Sequence, residues 1–183
     1  MSKSKYARKN AFKIIICGDG AVGKTTISKR LIGKLNFDGT VENTSLTPGV
    51  DFHSLNIPYD GVVIDCQIWD LGGQDYFRGF QDDFFESATV VFFVCSVDRF
   101  TTLENLEKWM SLLTVPLEEI DKRFLIANKI DAPERALETD ILMDFAEVFD
   151  LDYYEMSALK GYGFEEFQEE LITSIKTIYQ KIA

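Results

Sequence analysis

The eight residues Thr89-Val90-Val91-Phe92-Phe93-Val94-Cys95-Ser96 constrain the fold more than any other stretch of the chain. Successive side chains of a strand point to opposite faces, so a run that is apolar throughout needs cover on both sides. This is the situation of a central strand in a parallel sheet with helices above and below. The remaining chain can supply that cover. Short β-rich runs at 12–17, 50–57, 62–69, 123–128 and 152–156 alternate with helical patterns near 23–33, 75–86, 101–113, 136–149 and 163–181. In the last of these, Phe164, Phe167, Leu171, Ile175, Ile178 and Ile182 recur at helical spacing and make one apolar stripe. Asp60-Gly61 is a two-residue hairpin signal, which predicts antiparallel pairing of the second and third strands. The alternation as a whole predicts a doubly wound α/β sheet, whose ligands bind beyond the carboxyl ends of the strands.

Length and composition agree with one such domain. The chain has 183 residues, 46% hydrophobic and 27% charged, which excludes a disordered, collagen-like or coiled-coil protein. Thirty acidic against 19 basic residues give a net charge of -11, and such a chain lacks the basic face that grips nucleic acid. No nucleic-acid partner is therefore expected. Lys3, Lys5, Arg8, Lys9 and Lys13 all precede the first acidic residue. Residues 1–11 thus read as a basic, flexible segment ahead of a domain over 12–183, either solvated or in weak contact with anionic membrane. No apolar signal core follows that segment, and the longest apolar run is too short to span a bilayer. Cys17, Cys66 and Cys95 lie in strand-like runs without metal-ligand spacing, as buried reduced thiols would. Ser2 and the cysteine-free end Gln180-Lys181-Ile182-Ala183 match neither N-myristoylation nor prenylation. The expectation is a monomeric cytoplasmic protein, at most peripheral to membranes.

The chemistry sits in the loops after the strands. The first strand runs into Gly18-Asp19-Gly20-Ala21-Val22-Gly23-Lys24-Thr25, which fits G-x-x-x-x-G-K-[ST] between a strand and a helix. In such a loop the backbone amides of Gly18, Gly20, Ala21, Val22 and Gly23 and the helix N-terminus face phosphate oxygens. Lys24 reaches the β- and γ-phosphates, the Thr25 hydroxyl binds Mg²⁺, and Thr26 follows in the first helical turn. This motif leaves ATPases, kinases and GTPases open. Asn128-Lys129-Ile130-Asp131, after the fifth strand, decides between them. The Asp131 carboxylate can accept from both N1–H and the 2-amino group of guanine, a donor pair that adenine lacks. Asn128 is placed to meet the base N7 and tie this loop to the phosphate loop, with the Lys129 stem over the base.

On these motifs the chain, from Phe12 to Lys181, resembles a small GTPase of the Ras superfamily. The resemblance implies a three-layer P-loop NTPase G domain, a six-stranded mostly parallel sheet with helices on both faces. It also implies a Mg²⁺-dependent switch that binds GTP and GDP and slowly hydrolyses GTP, in membrane traffic or signalling. Ser157-Ala158-Leu159 is similar to the remaining base loop, with the Ala158 N–H toward guanine O6. Asp70-Leu71-Gly72-Gly73-Gln74 resembles D-x-x-G-Q, which makes Asp70 a Mg²⁺ ligand through water, Gly73 the γ-phosphate sensor and Gln74 the residue that orients water. Thr47-Pro48-Gly49-Val50-Asp51-Phe52 is similar to the Rab T-I-G-V-D-F, so Thr47 becomes the switch threonine for Mg²⁺ and γ-phosphate, with Thr44 second; Phe37 is the best-placed aromatic contact for the base. Lys24 and Thr47 are 23 residues apart, a longer first switch loop than the resemblance leads one to expect. The phosphate loop is Rho-like, the D-L-G-G-Q element Arf-like and residues 47–69 Rab-like.

Phe52, Trp69 and Phe84 occupy the positions of the aromatic triad through which Rab-like proteins meet effectors, exchange factors and activating proteins; an ordinary core role weighs equally. His53 reads as an exposed strand residue rather than a base. Arg78, four residues past Gln74, reads as solvent-facing, so no arginine finger in cis is expected and intrinsic hydrolysis should run at roughly 10⁻⁴ to 10⁻³ per second. A constitutive guanine-nucleotide-binding module, with little hydrolysis or switching, is the second reading, kept open by Pro48 and the long loop.

Overall fold

The computed structural model describes residues 11–33, 49–73 and 84–183. In chain order these form β1 (Ala11–Cys17), α1 (Lys24–Leu31), β2 (Val50–Tyr59), β3 (Val62–Leu71), β4 (Val90–Ser96), α2 (Thr101–Met110), a 3₁₀ turn at Leu117–Glu119, β5 (Lys122–Asn128), α3 (Thr139–Val148), β6 (Asp152–Met156) and α4 (Phe164–Ile182). The strands make one sheet in the order β2-β3-β1-β4-β5-β6. Only the β2–β3 pair is antiparallel, and the other neighbours are parallel. Asp60 and Gly61 both have positive φ (45° and 78°), the conformation a two-residue hairpin needs to match strand twist.

Alternation along the central strands divides the core into two layers. Ile14, Ile16, Val90, Phe92 and Val94 face one side with α1 and the α4 stripe, while Ile15, Cys17, Val91, Phe93 and Cys95 face the other with α2 and α3. Every residue of β4 is buried, so the doubly apolar run does lie at the middle of the sheet. Phe92, Phe124 and Phe167 meet edge to face with ring centroids 5.2–5.6 Å apart, and they join β4, β5 and α4. Each such pair contributes about 0.5–1.5 kcal/mol beyond area burial.

α1, α2 and α3 are shorter than the sequence pattern suggested, because apolar spacing continues into the loops beside them, while α4 has the expected length, shifted by one residue. The segment expected to be helical over 75–86 lies outside the described residues up to 83, and its remainder is turn. All three cysteines are free and buried. Burial pushes their thiols up, Cys66 and Cys95 to about 12, so they stay protonated and inert. No described helix is long and apolar enough to cross a membrane.

Candidate functional site

β1 and β3 run parallel and end side by side, which brings the loop after Cys17 next to Asp70. Lys24, the first residue of α1, is buried, and its Nζ donates to the carbonyls of Gly18 (2.8 Å) and Asp19 (2.7 Å). An ammonium has three donors, so one remains for a further acceptor. Burial lowers the Lys24 pKa to about 8 even though Asp70 opposes the shift. Beside it the Thr25 hydroxyl donates to Asp70 Oδ2 at 2.5 Å. The second oxygen, Asp70 Oδ1, is buried and has no hydrogen-bond partner among the described residues. Burial holds the Asp70 pKa above the usual carboxylate range, against the Thr25 bond and the Lys24 charge. A buried unpartnered carboxylate oxygen next to a hydroxyl is a donor set that suits a hard divalent cation.

The strand ends also gather the base loops. Asn128 is the last residue of β5 and is buried. Its Nδ2 donates to the Val22 carbonyl at 2.8 Å, and its Oδ1 accepts from the Ala158 N–H at 2.9 Å. One side chain thus bolts the phosphate loop to the loop after β6. The Ala158 N–H, expected to face guanine O6, donates here to Asn128 Oδ1. The second N–H of Asn128 Nδ2 remains for a base. Lys129 lies 3.7 Å from Asp98 and has positive φ, Asp131 is exposed, and Ser157 is buried with its Oγ accepting from Lys160 N.

Gly73 packs directly on the phosphate loop. A Cβ there would stand 2.2 Å from Gly20 N, a backbone atom that cannot yield, so only glycine permits this approach. Phe37, Thr44, Thr47, Pro48, Gln74 and Arg78 lie outside the described residues, as does the basic segment through Lys9.

Several site residues carry no motif signal. Arg30 of α1 donates to the Ala158 and Leu159 carbonyls at 2.5 and 2.8 Å and steadies the base loop. Asn105 and Trp109, one turn apart on α2, donate to the Asp19 carboxylate. Arg99 reaches the Gly20 carbonyl at 2.9 Å. Only the helical i, i+4 spacing of Asn105 and Trp109 could have hinted at a shared target.

Phe52, Trp69 and Phe84 do come together: Phe52 meets Trp69 edge-on at 4.7 Å, and Trp69 meets Phe84 at 6.0 Å. Phe52 is 62% exposed, which a core aromatic would not be. His53 corrects one expectation, since it is half-buried and its Nε2 has no partner among the described residues. Its neighbour across the ladder is Ile68, and β2 folds it in toward Asp70 rather than out to solvent.

Residues 13–177 match the Ras family. The chain is 30% identical to the Ras-related protein RABA1h of Arabidopsis thaliana, over 94% of this chain and 78% of that protein. It is 32% identical to the Ras-related protein RIC2 of Oryza sativa subsp. japonica over 93% and 77%, and 33% identical to RABA1c of Arabidopsis thaliana over 94% and 78%. With its six-stranded sheet and the phosphate loop at the end of β1, the chain belongs to the Ras family and is a small GTPase, a hydrolase that acts as a molecular switch.

Proposed function

We propose that this GTPase cycles between GTP and GDP with Mg²⁺ and recruits effectors in the GTP state through its switch regions and the Phe52–Trp69–Phe84 surface, in membrane traffic or signalling. The observation that carries the reading is the meeting of Lys24, Thr25 and Asp70 at one buried point, with Asp70 Oδ1 unpartnered among the described residues. Thr25 and Asp70, with Thr47 from the first switch, would hold the cation, which neutralises phosphate charge when bound. Gly18, Gly20, Ala21, Val22, Gly23 and Thr26 would line the phosphates, and the third Nζ donor of Lys24 would reach the β- and γ-oxygens. Asn128, Lys129, Asp131 and the loop Ser157-Ala158-Leu159 would read guanine, with Phe37 against the base. Gly73 would meet the γ-phosphate by its N–H, and Gln74 would hold the attacking water in line.

Nucleotide content of the purified protein and single-turnover GTP hydrolysis test this reading. Gln74→Leu keeps side-chain volume but loses donor and acceptor, so GTP affinity should stay near wild type while hydrolysis slows ~10-fold or more. Hydrolysis at the wild-type rate would remove Gln74 from its role. Tight GTP binding without measurable hydrolysis in the wild type would favour the constitutive module.

A further inference from the structure

The roles above leave the Arg99 guanidinium without a task, although it sits in a telling place. Its Nη2 donates to the carbonyl of Gly20 at 2.9 Å. Gly20 is also where Gly73 lands on the phosphate loop, with only 2.2 Å between the Gly20 nitrogen and a Cβ built on Gly73. Gly73 is the residue assigned to the γ-phosphate, and Gln74 follows it. Arg99 therefore stands at the γ end of the loop, close enough to Lys24 for its charge to be felt there.

The backbone that carries it is fixed. Arg99 N donates to Ser96 O at 3.0 Å, and Arg99 O accepts from Thr102 N at 3.2 Å and from Thr102 Oγ1 at 2.7 Å. Thr102 Oγ1 in turn accepts from Ser96 N at 2.9 Å. The side chain itself is 42% exposed, and its contact with Asp98 is long, at 3.9 Å. Asp98 is already engaged, by the Ser96 hydroxyl on one oxygen and by Lys129 on the other. A guanidinium has five donors in a planar fork, and the Gly20 carbonyl uses one of them. An arginine with a fixed Cα, a partly exposed head and spare donors can reach toward a phosphoryl group at this end of the loop.

We propose that Arg99 is an arginine in cis for GTP hydrolysis, contacting the γ-phosphoryl group while anchored on Gly20. The proposal rests on the assignment of Gly73 and Gln74 to that phosphate. In the step itself, the water oxygen bonds to the γ-phosphorus and the bond from that phosphorus to the β–γ bridging oxygen breaks. The bond's electron pair goes to the β-phosphate of GDP, and both water protons leave with the phosphate. Negative charge grows on the bridging oxygen and is spread over the γ-oxygens, where a second cation beside Lys24 lowers the barrier. Intrinsic hydrolysis then moves from the roughly 10⁻⁴ to 10⁻³ per second of an unassisted Ras-type site toward the ~10⁻² per second of G proteins with an arginine in cis.

The test compares the wild-type protein with Arg99→Ala, without any activating protein. Three quantities are read: single-turnover GTP hydrolysis, GTP and GDP dissociation constants, and uptake of aluminium fluoride by the GDP complex, followed by ¹⁹F NMR. Aluminium fluoride mimics the transferring phosphoryl group, so its capture reports on charge placed at that position and not on loop stability. Arg99→Ala should hydrolyse GTP ~10-fold or more slowly with affinities within ~3-fold of wild type, and only the wild type should capture aluminium fluoride. Hydrolysis by Arg99→Ala at the wild-type rate, or fluoride capture by both proteins or by neither, would overturn the proposal. So would a loss of affinity that matches the loss of rate, which would make Arg99 a clamp on Gly20 only. A wild-type protein that binds no guanine nucleotide would overturn the underlying reading together with it.

Discussion

Asn128→Ala removes the one side chain that joins the phosphate loop to the base loop, and the cost can be worked from its two bonds. The Val22 carbonyl loses the Nδ2 donor at 2.8 Å, and the buried Ala158 N–H loses the Oδ1 acceptor at 2.9 Å. A buried backbone group left unpaired costs about 1–3 kcal/mol. Water can enter part of the space and lower the total, which puts the loss at about 2–4 kcal/mol without any nucleotide present. For a domain of this size that corresponds to a drop in Tm of about 4–16 °C. Thermal unfolding of nucleotide-free protein is the assay, with Asn128→Asp as a second variant. The aspartate keeps an acceptor for Ala158 N–H but turns an oxygen toward the Val22 carbonyl, so it should recover at most half of the loss. Guanine affinity should fall further than stability, since two loops that must meet the same ligand lose their common register. A Tm within 1 °C of wild type for Asn128→Ala would refute the reasoning, because both bonds would then be replaceable by solvent.

Three further outcomes follow from single residues. Asp131→Asn should shift preference from guanosine toward xanthosine nucleotides, and the wild type should favour GTP over ATP by ~10³-fold or more in competition binding; equal ATP affinity would contradict the role given to Asp131. Lys24 has a pKa of about 8 in the free protein, and a bound phosphate raises it, so affinity for GDP should be flat well below pH 8 and about fourfold weaker at pH 8.5, where most of the guanine still keeps its N1 proton. Equilibrium titrations at pH 6.5 and 8.5 check this, and identical constants would show that Lys24 is charged throughout. Glu155 is held at about 2 chiefly by its bond to Arg135, so it stabilises the fold above its ordinary pKa of 4.5 and loses that contribution as pH falls toward 2. The upper limit is about 3 kcal/mol, reduced because the pair is partly exposed. Denaturant unfolding should show Glu155→Gln less stable than wild type at pH 7, with the gap less than half as large at pH 3 and closing only near pH 2; a gap independent of pH would mean that packing, not charge, is at stake.

The sequence and the structure agree where a local rule has one solution. A run apolar on both faces can only be central, and Thr89 to Ser96 is central. Asp60-Gly61 can only turn tightly, and β2 and β3 pair across it. The phosphate loop, Asp70 and Asn128 are found from sequence because each is a short motif at a strand end. What escapes is chemistry assembled from different helices. Arg30, Arg99, Asn105 and Trp109 come from α1, from the turn before α2 and from α2 itself, and each acts on a backbone or carboxylate far away in the chain. Nothing at those positions distinguishes them from solvent-facing polar residues or core aromatics until the helices are docked. His53 differs: it shares one face of β2 with Leu55 and the buried Ile57, so alternation counted back from Ile57 already turns it inward.

Asp19 shows what such long-range contacts accomplish. A carboxylate inside a loop shaped for phosphates is an electrostatic liability, since at a few ångströms two like charges repel by about 4 kcal/mol in a partly buried setting. The motif tolerates any residue there, so the sequence pattern alone does not register the conflict. The conflict is resolved by α2. Asn105 Nδ2 donates to Asp19 Oδ2 at 2.7 Å and Trp109 Nε1 to Oδ1 at 3.3 Å, so both oxygens are satisfied on the helix side and the charge is drawn away from the concave face of the loop. The Asp19 carbonyl, by contrast, points inward and accepts from Lys24 Nζ at 2.7 Å. One residue therefore fastens the loop to α2 by its side chain and to the phosphate-binding lysine by its backbone. A shift of α2 would pull on Asp19 and so on Lys24, while a change at Lys24 would be felt by α2 through the same residue. With Arg99 holding Gly20 from the turn that leads into α2, this helix is mechanically coupled to the loop at two consecutive residues, 19 and 20.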